Sequence, residues 1–179
     1  MNLQDVIKKN RNVILRRCFN LIAGTYPAAT AQLLKQEKDR FLNPAGYIIQ
    51  NEMETVFDEL TGEMNSNRLY TALEGIIKIR AVQDFSPSEA VGFVFLLKEA
   101  VREETTKERV QGAEGPRGRG ARDNKAEIFE EFIEFEQRID RIALVAFDIY
   151  MECREKIHNI KIKEIRHGAG ESGFPFSRE

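Results

Sequence analysis

Between Asp123 and His167 the chain runs for 45 residues without a proline or a glycine. Within that stretch Ile128, Phe132, Phe135, Ile139, Ile142, Ala146, Ile149 and Cys153 recur at alternating intervals of four and three. Such a repeat draws one apolar line along a helix, as in a bundle core or a coiled-coil seam. Residues 123–136 hold six acids and one base, while 154–167 hold five bases and two acids, a polarity that complements a helix macrodipole. A helix of this length measures about 67 Å. A compact chain of this size has a radius of gyration of ~16 Å and hence a diameter of ~40 Å. The helix must therefore overhang, break, or pack along a second subunit. A homodimer built partly on the seam is the expectation; the alternative is a bundle core with a frayed C-terminal end.

The rest of the chain also reads as helix. Leu3, Val6, Ile7, Val13, Ile14, Cys18, Leu21 and Ile22 mark an amphipathic helix over residues 3–22. Thr25 is placed to cap a second helix, with Pro27 in its first turn and Leu33 and Leu34 as its apolar contacts. Asn43 as N-cap and Pro44 at the first helical position start a third, running to Leu60 with Gly62 as its stop. A fourth opens at Ser66 and runs to about Asp84. Ser86-Pro87-Ser88-Glu89 then reads as a capping box, in which Ser86 and Glu89 satisfy each other's free amides. Behind it, Ala90 to Leu97 is apolar on every side, which predicts a helix buried at the centre of the core. Gly92 within it predicts a close approach by a neighbouring helix or a ligand.

No segment alternates as a strand would, so the expected fold is all-α, a bundle of about six helices ending in a long one. Residues 1–167 form one domain, with a glycine-rich loop at 111–122 and a flexible tail at 168–179. The net charge of −2 gives no field to gather nucleic acid or anionic lipid. No run approaches the ~20 apolar residues of a membrane span, and residues 1–9 lack a signal-peptide core. The expected location is the cytoplasm, with no membrane insertion and no nucleic-acid partner.

Few motifs point to chemistry. Glu155 with His158 and Glu164 with His167 match the Glu-x-x-His pattern of di-iron bundles, where each pair sits on its own helix. Here both lie on one helix, separated by about 13.5 Å and half a turn, so one subunit cannot bring them to a shared metal. Gly168 to Gly173 fits a dinucleotide-binding pattern but lacks the strand before it and the helix after it. Pro116 to Arg122 carries three arginines among glycines without an aromatic, which reads as a solvated loop. Cys18 and Cys153 fall on apolar faces and read as core. No metal site, cofactor or enzymatic activity is expected.

Two polar groups stand at helix starts. Arg80, Gln83, Asp84 and Ser86 lie where the fourth helix gives way to the fifth; Arg40, Asn43 and Tyr47 lie at the start of the third. Each either caps and pairs locally or faces a ligand or partner.

At these two places the sequence resembles the RsbRD N-terminal domain family, through residues 37–47 (EKDRFLNPAGY) and 79–98 (IRAVQDFSPSEAVGFVFLLK). The segment from Ile139 to Lys156 is similar as well, and the likeness spans roughly residues 3–165. The resemblance implies a globin-like, haem-free sensory domain that dimerises and passes its signal through the last helix. In the family a STAS output domain follows; none is read here, so a separate regulatory protein is the expected partner. Absence of haem also fits His158 and His167, which lie near the end of the last helix, not inside a helical sandwich. The second reading is a small-molecule binder with a pocket beside Arg80 and Gly92.

Overall fold

The computed structural model describes residues 3–37, 39–83, 85–111 and 120–170, with the side chains of 108–128 and 167–170 excepted. Every regular element among them is helical: α1 (Leu3–Lys9), α2 (Arg11–Gly24), α3 (Ala28–Gln36), α4 (Pro44–Thr61), α5 (Ser66–Val82), α6 (Pro87–Gly92), a 3₁₀ turn (Phe93–Phe95), α7 (Leu96–Gln111) and α8 (Gly120–Gly170). The all-α expectation is met, with a long C-terminal helix of 51 residues, about 77 Å from end to end.

Local chemistry explains most boundaries. The Asn43 side chain accepts from the Gly46 amide at 2.9 Å, and Pro44 opens α4. At α6 the capping box is complete: the Glu89 amide donates to Ser86 Oγ, and the Ser86 amide donates to Glu89 Oε2. Each pair satisfies amides that a helix start would otherwise leave open.

Other boundaries differ from expectation. The helix expected over 3–22 breaks at Asn10, whose side-chain amide donates to the Val6 carbonyl beside its own backbone amide. This local competition is why asparagine weakens helix interiors. Thr25 does not cap α3. Its hydroxyl donates to the Ile22 carbonyl at 2.7 Å and closes α2 instead, while Pro27 occupies the N-cap of α3. Of the two leucines given to α3's contacts, Leu34 is buried and Leu33 is exposed. The segment 90–97 is not one buried helix: it passes through the 3₁₀ turn, which turns Phe95 outward while Phe93, Val94 and Leu97 stay inside. The loop expected over 111–122 is shorter, because Gln111 still ends α7 and Gly120 already begins α8; residues 112–119 lie outside the described residues. Helix α8 also continues past the expected boundary at 167 to Gly170, and 171–179 lie outside the described residues.

The core is continuous. Helix α5 packs between α4 and α8, while α2 leans on α3, α4 and α7. Phe57, Leu60, Leu73, Ile76, Ile77 and Leu97 are fully enclosed, each stabilising the fold by about 1.5–3 kcal/mol relative to exposure. The α8 seam belongs to this core. Phe135, Ile139, Ile142, Ala146, Ile149 and Cys153 are buried against the chain's own helices, and Phe132 is half-buried. The Ile128 side chain lies outside the described residues. From Phe135 to Cys153 one chain thus fills the seam by itself, which is the bundle-core alternative for that stretch. Cys18 is buried as well, with its thiol pushed up to about 12 by desolvation, so both cysteines sit in the core.

Candidate functional site

The two polar groups meet different fates. Arg80, near the C-terminal end of α5, is entirely enclosed. Its Nη2 donates to Thr25 Oγ1 at 3.1 Å and to the Glu89 carbonyl at 2.9 Å. The guanidinium lies 4.1 Å from the Phe85 ring centroid, 5.1 Å from that of Tyr26 and 5.9 Å from that of Phe93. Tyr26 and Phe85 themselves meet edge to face at 5.0 Å. Arg80 thus joins the end of α2, the end of α5 and the start of α6 through one cation in an aromatic cage. Burial lowers its pKa, opposed by the neighbouring Tyr26 and Glu89. Among the described residues its Nε and Nη1 find no hydrogen-bond partner. The residue is a buried structural hub.

Its sequence neighbours are not drawn in with it. Gln83 is exposed at the C-cap of α5, Ser86 serves the capping box, and Asp84 lies outside the described residues. A Cβ built on Gly92 would meet nothing within 4 Å. Among the described residues, none makes the close approach expected at that Cβ position.

Asn43 and Tyr47 do reach a concavity. Asn43 Nδ2 donates to the carbonyls of Leu34 at 3.1 Å and Glu37 at 2.9 Å, fastening the end of α3 to the start of α4. Beside this clamp, α2, α3 and α4 enclose an open groove of about 690 Å³. Leu15, Phe19 and Met53 contribute apolar surface to it, and Tyr47, Arg16 and Lys35 contribute polar groups. Arg40 stands outside, its guanidinium 4.8 Å from the Phe41 ring centroid. Residues from α2 escaped sequence reading because nothing local ties positions 12–20 to positions 43–54.

The third feature is α8 itself. Tyr150 Oη donates to the Phe85 carbonyl at 2.9 Å, and Arg154 Nη1 donates to the Ala81 carbonyl at 3.2 Å. The long helix is thereby tied to the corner that holds Arg80. Opposite its buried seam, Phe129, Ile133, Leu144, Phe147 and Met151 are exposed. This second apolar line has intervals of four, eleven, three and four, so it is broken between Ile133 and Leu144, and the cleaner seam masked it. Beyond Ile157, which still packs against the core, the helix leaves the body; from His158 to Arg166 only Ile162 is half-buried. His158 and Glu155 are exposed, and the His167 side chain lies outside the described residues. No helix among the described residues is long and apolar enough to cross a membrane.

No curated protein and no solved structure shows a significant match to the chain. A family model does, that of the RsbT co-antagonist protein rsbRD N-terminal domain, over residues 12–162. The matched region runs from α2 into the overhanging part of α8, and so takes in the Asn43 clamp, the Arg80 hub and the part of α8 that is tied to that hub. The chain belongs to the RsbRD N-terminal domain family.

Proposed function

We propose that this chain is a cytoplasmic, non-enzymatic regulatory module of the stressosome co-antagonist type. In this reading it is globin-like and haem-free, works as a homodimer, and signals through α8 to a separate protein. The observation that carries the reading is the attachment of α8. The helix hydrogen-bonds the Phe85 and Ala81 carbonyls at the Arg80 corner, then extends beyond the body with exposed apolar and basic groups. A rearrangement at that corner has a rigid path outward, since packed helices shift between discrete arrangements and do not deform continuously. Light scattering is expected to give a dimer, and capture from native lysate a stoichiometric protein partner. A monomer that retains no protein removes the reading, and a Soret band in the purified protein removes its haem-free part.

The groove of about 690 Å³ favours a second reading, a small-molecule binder, since that volume suits a metabolite-sized ligand. It moves the candidate pocket from Arg80 and Gly92 to Asn43 and Tyr47. Thermal-shift screening against a metabolite panel separates the two: a shift abolished by Tyr47→Ala supports the groove.

A further inference from the structure

The groove between α2, α3 and α4 has an uneven distribution of charge. Four charged side chains border it: Arg16, Lys35, Glu37 and Glu54. Both carboxylates are engaged within the chain. Glu37 Oε1 accepts from the Asp39 amide at 2.8 Å. Glu54 lies 3.8 Å from Arg11 Nη2, which also holds Asp58 at 2.9 Å. The side chains of Arg16 and Lys35 are exposed and have neither an ion pair nor a hydrogen bond among the described residues. The uncommitted charge in the groove is therefore positive, although the whole chain stands at −2.

The surface beside those cations is apolar. Leu34 and Met53 are buried, while Leu15 and Phe19 are half-buried and pack against the core. Helix periodicity arranges this along α2: Asn12, Arg16 and Asn20 follow at intervals of four, and Leu15 and Phe19 form a second row at the same interval. A polar row thus accompanies an apolar one on a single wall. From α4, Gln50 and the ring of Tyr47, 46% exposed, line the same space. The Asn43 clamp closes the end where α3 meets α4.

A ligand matched to this arrangement has an apolar body and one anionic head. A purely apolar molecule would leave Arg16 and Lys35 unused. A bare anion would gain only exposed ion pairs, which are worth little in water. Joined, the two halves support each other, because an apolar body excludes water from the head and strengthens its pairing. The planar guanidinium also matches the two oxygens of a carboxylate better than a single point charge. We propose that the groove binds an amphipathic monocarboxylate, its carboxylate drawn to Arg16 and Lys35 and its apolar part lying over Leu15, Phe19 and Met53. This rests on the small-molecule reading of the groove and names its ligand class.

The test uses the full chain and octanoate, a soluble amphipathic monocarboxylate, in titration calorimetry at low ionic strength. Octanoate is expected to saturate a single site, and Arg16→Gln and Lys35→Gln each to weaken it by about three- to tenfold. Both residues are exposed, so the variants should keep the circular dichroism of the parent. Added salt should weaken octanoate by screening its head. Acetate should bind far more weakly for want of a body, and octylammonium for want of the right charge. Acetate or octylammonium binding as tightly as octanoate overturns the proposal, as does octanoate binding that ignores both substitutions. Absence of octanoate binding overturns it too. A metabolite shift abolished by Tyr47→Ala would then keep the groove as a ligand site without this class, and no such shift would remove both.

Discussion

The guanidinium carbon of Arg80 lies 4.1 Å from the centroid of the Phe85 ring, while the Phe85 carbonyl accepts from Tyr150 of α8. One residue therefore carries both the lid of a buried cation and the anchor of the longest helix. The cation is enclosed with hydrogen bonds on Nη2 alone, and no carboxylate pairs with it among the described residues. Its enclosure depends on flat aromatic surfaces, which suit the weakly hydrated, planar guanidinium better than a compact ammonium.

That difference sets the first prediction. Arg80→Lys is expected to lower stability by about 2–3 kcal/mol, because it keeps the buried charge but loses stacking and reach. Arg80→Met is expected to cost less, on the order of 1 kcal/mol, since it removes the charge at similar volume. Urea denaturation midpoints decide between them. Equal losses would assign the role to the Thr25 and Glu89 hydrogen bonds alone.

The α3–α4 clamp gives a second prediction with a sign that single variants cannot show. A Cβ on Gly46 would stand 2.2 Å from Asn43 Nδ2. Gly46→Ala should therefore displace the cap, and Asn43→Ala should delete it, each costing about 2 kcal/mol. The double variant is expected to cost clearly less than the sum, because the clash vanishes with the side chain. Strict additivity in thermal unfolding would refute the shared mechanism.

Gly92 supplies the opposite sign. Its backbone is right-handed helical, φ −56° and ψ −21°, with open space where a Cβ would stand. Gly92→Ala is expected to stabilise the chain by about 0.5–1 kcal/mol by restricting the unfolded state. A destabilised variant in the same denaturation assay would mean that the open space is needed for packing.

Two residues two positions apart on α8 separate its faces. Ile142 is fully buried and Leu144 is exposed. Ile142→Asp is expected to cost more than about 4 kcal/mol and to unfold the chain at room temperature. Leu144→Asp should change folding stability of the single chain by less than ~0.5 kcal/mol. Circular dichroism melts of both variants, run at low protein concentration, check the contrast.

The capping box carries a pH dependence. Hydrogen bonds from Ser86 hold the Glu89 carboxyl below its ordinary 4.5. A carboxyl depressed in the folded state contributes stability above its unfolded pKa and loses it as pH falls through the folded one. Stability should decline on acidification below about pH 4.5, and less steeply in Glu89→Gln. Ser86→Ala should cost about 1 kcal/mol at neutral pH and remove the depression. Denaturation midpoints from pH 3 to 7 would show an unchanged slope if the box were irrelevant.

The sequence by itself determined the helix starts at Asn43-Pro44 and Ser86-Pro87, the uninterrupted α8, the all-helical class and the family. Those features depend on hydrogen bonds and backbone preferences reaching at most four residues along the chain, so they are written locally. Only the tertiary structure decided that the α8 seam from Phe135 to Cys153 is spent inside one chain, that Arg80 is caged, that a Cβ at Gly92 would meet no described residue, and that Asn43 and Tyr47 border a groove with α2. Each of those depends on which distant segment arrives alongside. Helix periodicity names an apolar face but not its partner, and α8 has two such faces with only one core to fill.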